Sequence, residues 1–332
     1  MLDYCIAIIV LVIGLATSWI WVPFLVLTSP FWVTGLGLLY TLLKVLGLWS
    51  YVRKAIGASY EWLMFKSNKP RKYLWLKFYN FLVWMFPQSE WKTMNYGYAV
   101  NTEHGHTIKL DAEDETERFS YQLYHYIATG MKEFSSLSGL NIIEVGSGRG
   151  GGLYYVCRYL TPASAVGVDF SRAQVEFCNR NYKLPNLNYI EGDAMNLPIK
   201  AESVDVVINV ESAHCYPNLK AFVSEVDRIL KPGGHFFFTD FLAASEAEEL
   251  HQALTSASLQ VVKKHDITEN VLLSLHLDSQ RRQELIESRT PRFLHGLLKH
   301  FGGTEGSNIY KGMESGETVY LAYHLLKPKP TK

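Results

Sequence analysis

Three hydropathy regimes divide the chain. Positions 4–27 and 31–49 are almost entirely apolar, the first run broken by Pro23, the second marred by Lys44, with Thr28-Ser29-Pro30 as a turn between them. A membrane span takes about 20 apolar residues, so each run is long enough to predict one, as two spans or as one span and an interfacial helix. Trp19, Trp21, Trp32 and Trp49 suit the interfaces, where indole is favoured. Over 51–92 the pattern changes: Arg53, Lys54, Lys66, Lys69, Arg71, Lys72, Lys77 and Lys92 are mixed with a dense aromatic tract and face only Glu61 and Glu90. That mixture predicts juxtamembrane helices lying in the headgroup region, on the cytoplasmic side by the positive-inside rule.

From about Met94 the pattern is that of a folded domain running to about residue 330. Apolar runs of strand length fall at 142–145, 165–169, 187–191, 204–209 and 235–241, and helical periodicity occupies 118–132, 153–160, 171–182 and 219–230 between them. Strand alternating with helix predicts an α/β, doubly wound sheet with helices on both faces. Beyond it, 245–256 reads as helix, 259–267 as strand, 270–301 as helix broken by Pro291, and 318–326 as a closing strand. The stretch 268–312 is long for a connection and is expected to cover the active site.

Composition narrows the function. The 32 basic and 32 acidic residues cancel, so no global field draws the chain to nucleic acid. Cys5, Cys157, Cys178 and Cys215 form no Cys-x-x-Cys pair, which speaks against a zinc site or other metal centre and against a disulfide framework. Asp3 is the sole early charge and the apolar tract is long, unlike a cleaved signal peptide. The absence of any Asn-x-Ser/Thr acceptor suits a domain facing the cytosol. A membrane location follows, with the endoplasmic reticulum as one candidate.

Residues 142–152, Ile-Ile-Glu-Val-Gly-Ser-Gly-Arg-Gly-Gly-Gly, read as strand, tight turn and helix start, the phosphate- or nucleoside-binding unit of such a sheet. Gly146, Gly148 and Gly151 match a dinucleotide fingerprint; Gly146, Gly148 and Gly150 match an S-adenosylmethionine pattern equally well. Ligands of these sheets sit at the carboxyl ends of the strands. There stand Asp169, placed for ribose hydroxyls, Asp193-Ala194, placed for an adenine amino group, and Asn209-Val210-Glu211.

Taken with Gly167-Val168-Asp169, with residues 192–198 (Gly-Asp-Ala-Met-Asn-Leu-Pro) and with Leu230-Lys231-Pro232-Gly233-Gly234, the turn resembles the class I S-adenosylmethionine-dependent methyltransferases over roughly 94–326. The resemblance implies a seven-stranded sheet with its last strand antiparallel. It also implies cofactor contacts at Glu144, Gly146, Ser147, Gly148, Gly150, Asp169, Phe170, Gln174, Asp193, Ala194 and Asn209. Asn95-Tyr96-Gly97-Tyr98, residues 171–175, residues 211–217 and Thr239-Asp240-Phe241 are similar to two narrower groups: the mycobacterial phthiotriol and phenolphthiotriol dimycocerosate O-methyltransferases, and the rebeccamycin-type sugar O-methyltransferases. The first 90 residues depart from both.

Methyl transfer to a hydroxyl needs a proton acceptor, and His214 follows strand four while Asp240 lies near the end of the neighbouring strand five. Histidine titrates near neutrality, and a carboxylate on its other nitrogen fixes the tautomer. The rebeccamycin-type resemblance implies the same pair. His235 opens strand five at the opposite end of the sheet and is the poorer candidate. The expectation is a membrane-anchored O-methyltransferase acting on a lipid or other hydrophobic small molecule. Carbon methylation of a sterol or quinone is the competing enzyme, and a tethered binding module without chemistry is the competing class.

Overall fold

The computed structural model describes residues 69–330, apart from 88–90, 103, 104 and 135, together with a few positions between 39 and 51. The first apolar run, most of the second and residues 52–68 lie outside the described residues. Among the described residues no helix is long and apolar enough to cross a membrane. Contacts divide the chain into Met1–Phe78 and Tyr79–Lys332. Helix α1 (Lys69–Met85) buries Leu82 and Val83 and exposes Tyr73 and Trp84.

The second unit begins at Tyr79, ahead of the boundary expected near Met94. Its elements run α2 (Arg118–Ala128), β1 (Asn141–Val145), α3 (Gly151–Tyr159), β2 (Ser164–Asp169), α4 (Arg172–Asn181), β3 (Leu187–Glu191), β4 (Val204–Val210), α5 (Leu219–Ile229), β5 (Leu230–Ala243), α6 (Ala247–Leu254), β6 (Gln260–Asp266), α7 (Thr268–Arg289), α8 (His295–Phe301), α9 (Asn308–Ser315) and β7 (Thr318–Leu326). The seven strands pair in the order β3-β2-β1-β4-β5-β7-β6. All pairings are parallel except those of β7, which runs antiparallel to β5 and β6. The order reverses between β1 and β4, which opens the crevice where ligands of doubly wound sheets sit.

Alternation along the strands divides the core between the two faces of the sheet. Ile142, Val206, Ile208, Phe237 and Tyr320 pack with α2, α3 and α4; Ile143, Val207, Phe236, Phe238 and Tyr323 pack with α5 and α6. Phe222, Phe236 and Phe238 have no solvent exposure, and each such side chain stabilises the fold by about 1.5–3 kcal/mol. Ser171 caps α4, accepting from the Gln174 amide at 3.2 Å, and Asn218 caps α5 through the Ala221 amide at 3.0 Å. Such caps satisfy amides that helix starts leave unpaired.

One element differs from its sequence reading. Strand β5 starts at Leu230, which pairs with Val204; the next partners are His235 and Val206, so residues 231–234 bulge out. Gly233 holds φ +84°, its amide donates to the Lys327 carbonyl at 2.8 Å, and the Lys327 amide donates to Gly234 at 2.9 Å. A Lys-Pro-Gly-Gly phrase reads as a turn, but here Lys327, the residue after β7, supplies the partners that keep it in the sheet.

Candidate active site

The glycine turn joins β1 to α3. Gly146, Gly148 and Gly150 have φ of +76°, +51° and +78°, values that L side chains rarely adopt. Gly152 is required for another reason: a Cβ there would lie 1.8 Å from the Tyr124 ring. Tyr124 in turn donates to Glu144 Oε1 at 2.6 Å beneath the turn. Glu144 is fully buried; burial pushes its carboxyl up to about 8, against the Tyr124 hydrogen bond that favours the ionised form.

Asp169, at the end of β2, accepts from the Gly148 amide through Oδ2 and from the Ser171 amide through Oδ1, both at 2.8 Å. Burial raises its pKa and the two amides oppose the rise. Each carboxylate oxygen has a second lone pair, so these bonds fix the group without exhausting it. Phe170 follows it, half-buried. Asp193 bridges to Asn196 beyond β3 and accepts from the Met195 amide at 3.1 Å, with Ala194 buried beside it. Asn209, on β4, turns its Nδ2 to the Val145 carbonyl (2.8 Å), Ser212 Oγ (2.7 Å) and Tyr216 OH (3.1 Å), so its donor side ties β4 to the end of β1.

Several buried polar atoms around this crevice have no hydrogen-bond partner: Glu144 Oε2, Ser147 Oγ, both amide atoms of Gln174 and Asn209 Oδ1. An unsatisfied buried polar atom costs about 1–3 kcal/mol, and such a set on the turn, at the start of α4 and at the end of β4 suits a polar ligand that completes it.

The predicted dyad is assembled. His214 Nδ1 lies 2.9 Å from Asp240 Oδ1, and the His214 amide donates to Oδ2 at 3.0 Å. The imidazole packs on Phe241, ring centroids 4.8 Å apart. Burial works against the imidazolium, yet the Asp240 carboxylate and the Cys215 sulfur outweigh it and hold His214 well above its ordinary pKa. His235 sits at the other end of β5, 2.9 Å from His324 Nε2, with its pKa lowered by burial.

Sequence reading assigned no role to four further residues at the crevice. Glu211, between β4 and the dyad, has φ +45°, a conformation costing non-glycine residues about 1–3 kcal/mol and one that clusters at functional sites. Its Oε1 accepts from the Tyr96 amide at 2.7 Å and Tyr320 OH at 2.5 Å, and burial pushes its pKa up to about 7. Tyr79, from α1, reaches Cys215 Sγ at 3.8 Å, and its pKa is raised well above normal by burial, then by Cys215, Asp169 and Asp240. Asn80 accepts from Ser171 Oγ at 2.5 Å. Arg149, inside the glycine turn, is buried and donates to the carbonyls of Trp91 and Phe86, its guanidinium 4.2 Å from the Phe177 ring centroid. Glu211 and Arg149 lie within motifs the sequence displays; nothing local marks Tyr79 or Asn80.

Comparison with known proteins agrees with this geometry. A methyltransferase-domain family model matches residues 143–238. A phthiotriol/phenolphthiotriol dimycocerosates methyltransferase of Mycobacterium leprae is 34% identical over 77% of this chain and 93% of its own length. A fatty-acid O-methyltransferase of Mycolicibacterium smegmatis is 32% identical over 71% of this chain and 83% of its own. Among solved structures, a putative sarcosine dimethylglycine methyltransferase from Galdieria sulphuraria matches with TM-score 0.58 and 14% identity, covering 75% of this chain and 98% of that one. A geranyl diphosphate C-methyltransferase from Streptomyces coelicolor, solved with S-adenosyl-L-homocysteine, matches with TM-score 0.55 and 16% identity over 75% and 98%. These two show a shared fold, while the curated relatives carry the kinship: the chain belongs to the S-adenosylmethionine-dependent methyltransferases.

Proposed function

We propose that the enzyme methylates a hydroxyl of a lipid or other hydrophobic small molecule, with His214 as general base. The observation that carries the reading is the His214–Asp240 pair, 2.9 Å apart beside the glycine crevice. The cofactor fits the residues present: the three positive-φ glycines leave room for close approach, and the partnerless atoms of Glu144, Ser147, Gln174 and Asn209 await a polar ligand. Asp169 and Phe170 would take the ribose side and Asp193-Ala194 the adenine. When bound, the cofactor supplies a sulfonium methyl, an electrophile that needs no further activation.

The protein's part is to place the oxygen and take its proton. Asp240 holds Nδ1–H, which fixes the tautomer with Nε2 as the basic atom and stabilises the imidazolium once the proton arrives. His214 would take the hydroxyl proton as the oxygen displaces sulfur from the methyl carbon, which leaves the cofactor as a neutral thioether, and would then release the proton to solvent. The relatives named for phthiotriol and for a fatty acid act on long-chain compounds by their names, which supports a lipidic acceptor here. The test is transfer of a radiolabelled methyl group from S-adenosylmethionine into a lipid extract by wild type, His214→Ala and Asp240→Asn. Losses of about 10²-fold or more with cofactor affinity intact are expected; near-normal turnover in His214→Ala would remove the base assignment.

The membrane anchor belongs to the same proposal. The apolar runs at 4–27 and 31–49 and the basic tract after them support a chain held at a membrane, its catalytic domain on the cytosolic side. Carbonate extraction should leave the full chain in the pellet, whereas release at high pH would make it peripheral.

A further inference from the structure

A second concavity lies in the catalytic unit and no step above uses it. Phe86 and Trp91 wall it on one side, Leu285, Ile286, Leu298 and Phe301 on the other, and it encloses about 650 Å³ including its open mouth. Its charged groups are already engaged. Glu117 accepts from the Lys92 amide and from Thr93 Oγ1. Arg281 and Arg282 both clamp Asp278, and Arg282 also donates to the carbonyls of Asn95 and Gly302. What the cleft offers a ligand is therefore apolar wall.

The cleft borders the reaction site. Met94 lines it, and its methyl lies 2.8 Å from where a side chain on Gly148 would begin. Tyr96 also lines it; its ring packs on Phe241 at 5.2 Å, and Phe241 packs on His214. The Tyr96 amide is the one held by Glu211. The same short segment thus borders the cofactor turn, the dyad and the apolar cleft.

We infer that this cleft holds the aliphatic chain of the substrate, making the acceptor a long-chain lipid whose reacting oxygen sits at His214 while its chain runs between Phe86 and Trp91–Tyr96 on one side and α7–α8 on the other. The inference rests on the lipid reading above and names where that lipid is measured. Each methylene buried in such a cleft tightens binding roughly fourfold, so selectivity should grow with chain length until the cleft is full. Leu285 and Ile286 are half-buried on the wall, and a larger side chain at either would fill the cleft.

Two measurements on the full chain test it. In the first, kcat/KM is compared for a short-chain and a long-chain hydroxylated lipid in wild type, Leu285→Trp and Ile286→Trp. Wild type should prefer the long chain. The variants should lose about tenfold or more of that preference, with S-adenosylmethionine affinity unchanged. Two neighbouring substitutions guard against one that does not fold. Preference for the long chain persisting in a variant that binds cofactor normally would overturn the inference. The second measurement needs no turnover: an alkyl diazirine lacking any hydroxyl is photolysed on the protein and the labelled peptides are mapped. Label on 86–96 or 285–302 supports the cleft even if no lipid hydroxyl is methylated, which separates failure of the cleft from failure of the reaction. Label confined to 4–49, or a cleft that stays unlabelled because the chain's own apolar segment fills it, overturns the inference.

Discussion

As the proposed general base, His214 meets two opposed demands. Its ion pair with Asp240 holds the ring protonated well above its ordinary range, yet a base must begin neutral. Turnover should therefore climb as pH rises through the shifted value. Asp240→Asn withdraws the supporting charge, so the rising limb should move to lower pH even as the maximal rate falls about 10²-fold or more; a pH–rate profile of both proteins checks this. Glu144 gives a stability counterpart. Its carboxyl moves from 4.5 to about 8 on folding. The folded state then binds the proton more tightly, so its contribution is full below 4.5 and is lost as pH climbs through about 8. Glu144→Gln should flatten the fall of Tm across that window. At this scale the pairing of His214 with Asp240 was legible because β4 and β5 are neighbours in the sheet. Tyr124 was not legible as the partner of Glu144, because the bond joins α2 to β1 and exists only once the helix has docked.

At the scale of elements, the glycine cluster does two jobs that its sequence cannot separate. The first three glycines permit the turn; Gly152 permits α2 to lie against α3, with the Tyr124 ring where a methyl would go. Gly152→Ala should cost about 1–3 kcal/mol by overpacking, seen as a lower Tm with little change in cofactor affinity once folded. Asp169→Ala should do the reverse. It leaves the core alone but removes charge-assisted bonds at the crevice, with a loss of about 1.5–3 kcal/mol in cofactor binding by titration calorimetry. The strands, the break at Pro291 and the closing strand follow from period and punctuation. The bulge in β5 does not, because what keeps Lys231–Gly234 in the sheet is Lys327, far along the chain.

Over the whole molecule, the sheet order places the glycine turn, Asp169, Asp193 and the residues after β4 at the carboxyl ends of the parallel strands, and that much follows from the alternation of strand and helix. The start of the catalytic unit at Tyr79 does not follow, because a helix rich in lysine and aromatics reads as interfacial whether or not its far end docks on a domain. Tyr79 and Asn80 set that end against Cys215 and Ser171. Asn80→Ala should accordingly weaken S-adenosylmethionine binding without touching any residue of the glycine turn, and a several-fold rise in Kd would show it.

Arg149 joins two places usually considered apart. Its backbone belongs to the turn proposed to receive the cofactor, and its guanidinium fastens the carbonyls of Phe86 and Trp91, whose side chains border the apolar cleft. A ligand that stiffens one place leaves less disorder for the other ligand to remove, and linkage makes that help mutual and equal. The affinity of S-adenosylhomocysteine should rise in the presence of a long-chain lipid by the same factor as the lipid's affinity rises with S-adenosylhomocysteine. Arg149→Met, which keeps the bulk and drops the donors, should leave two independent binding events.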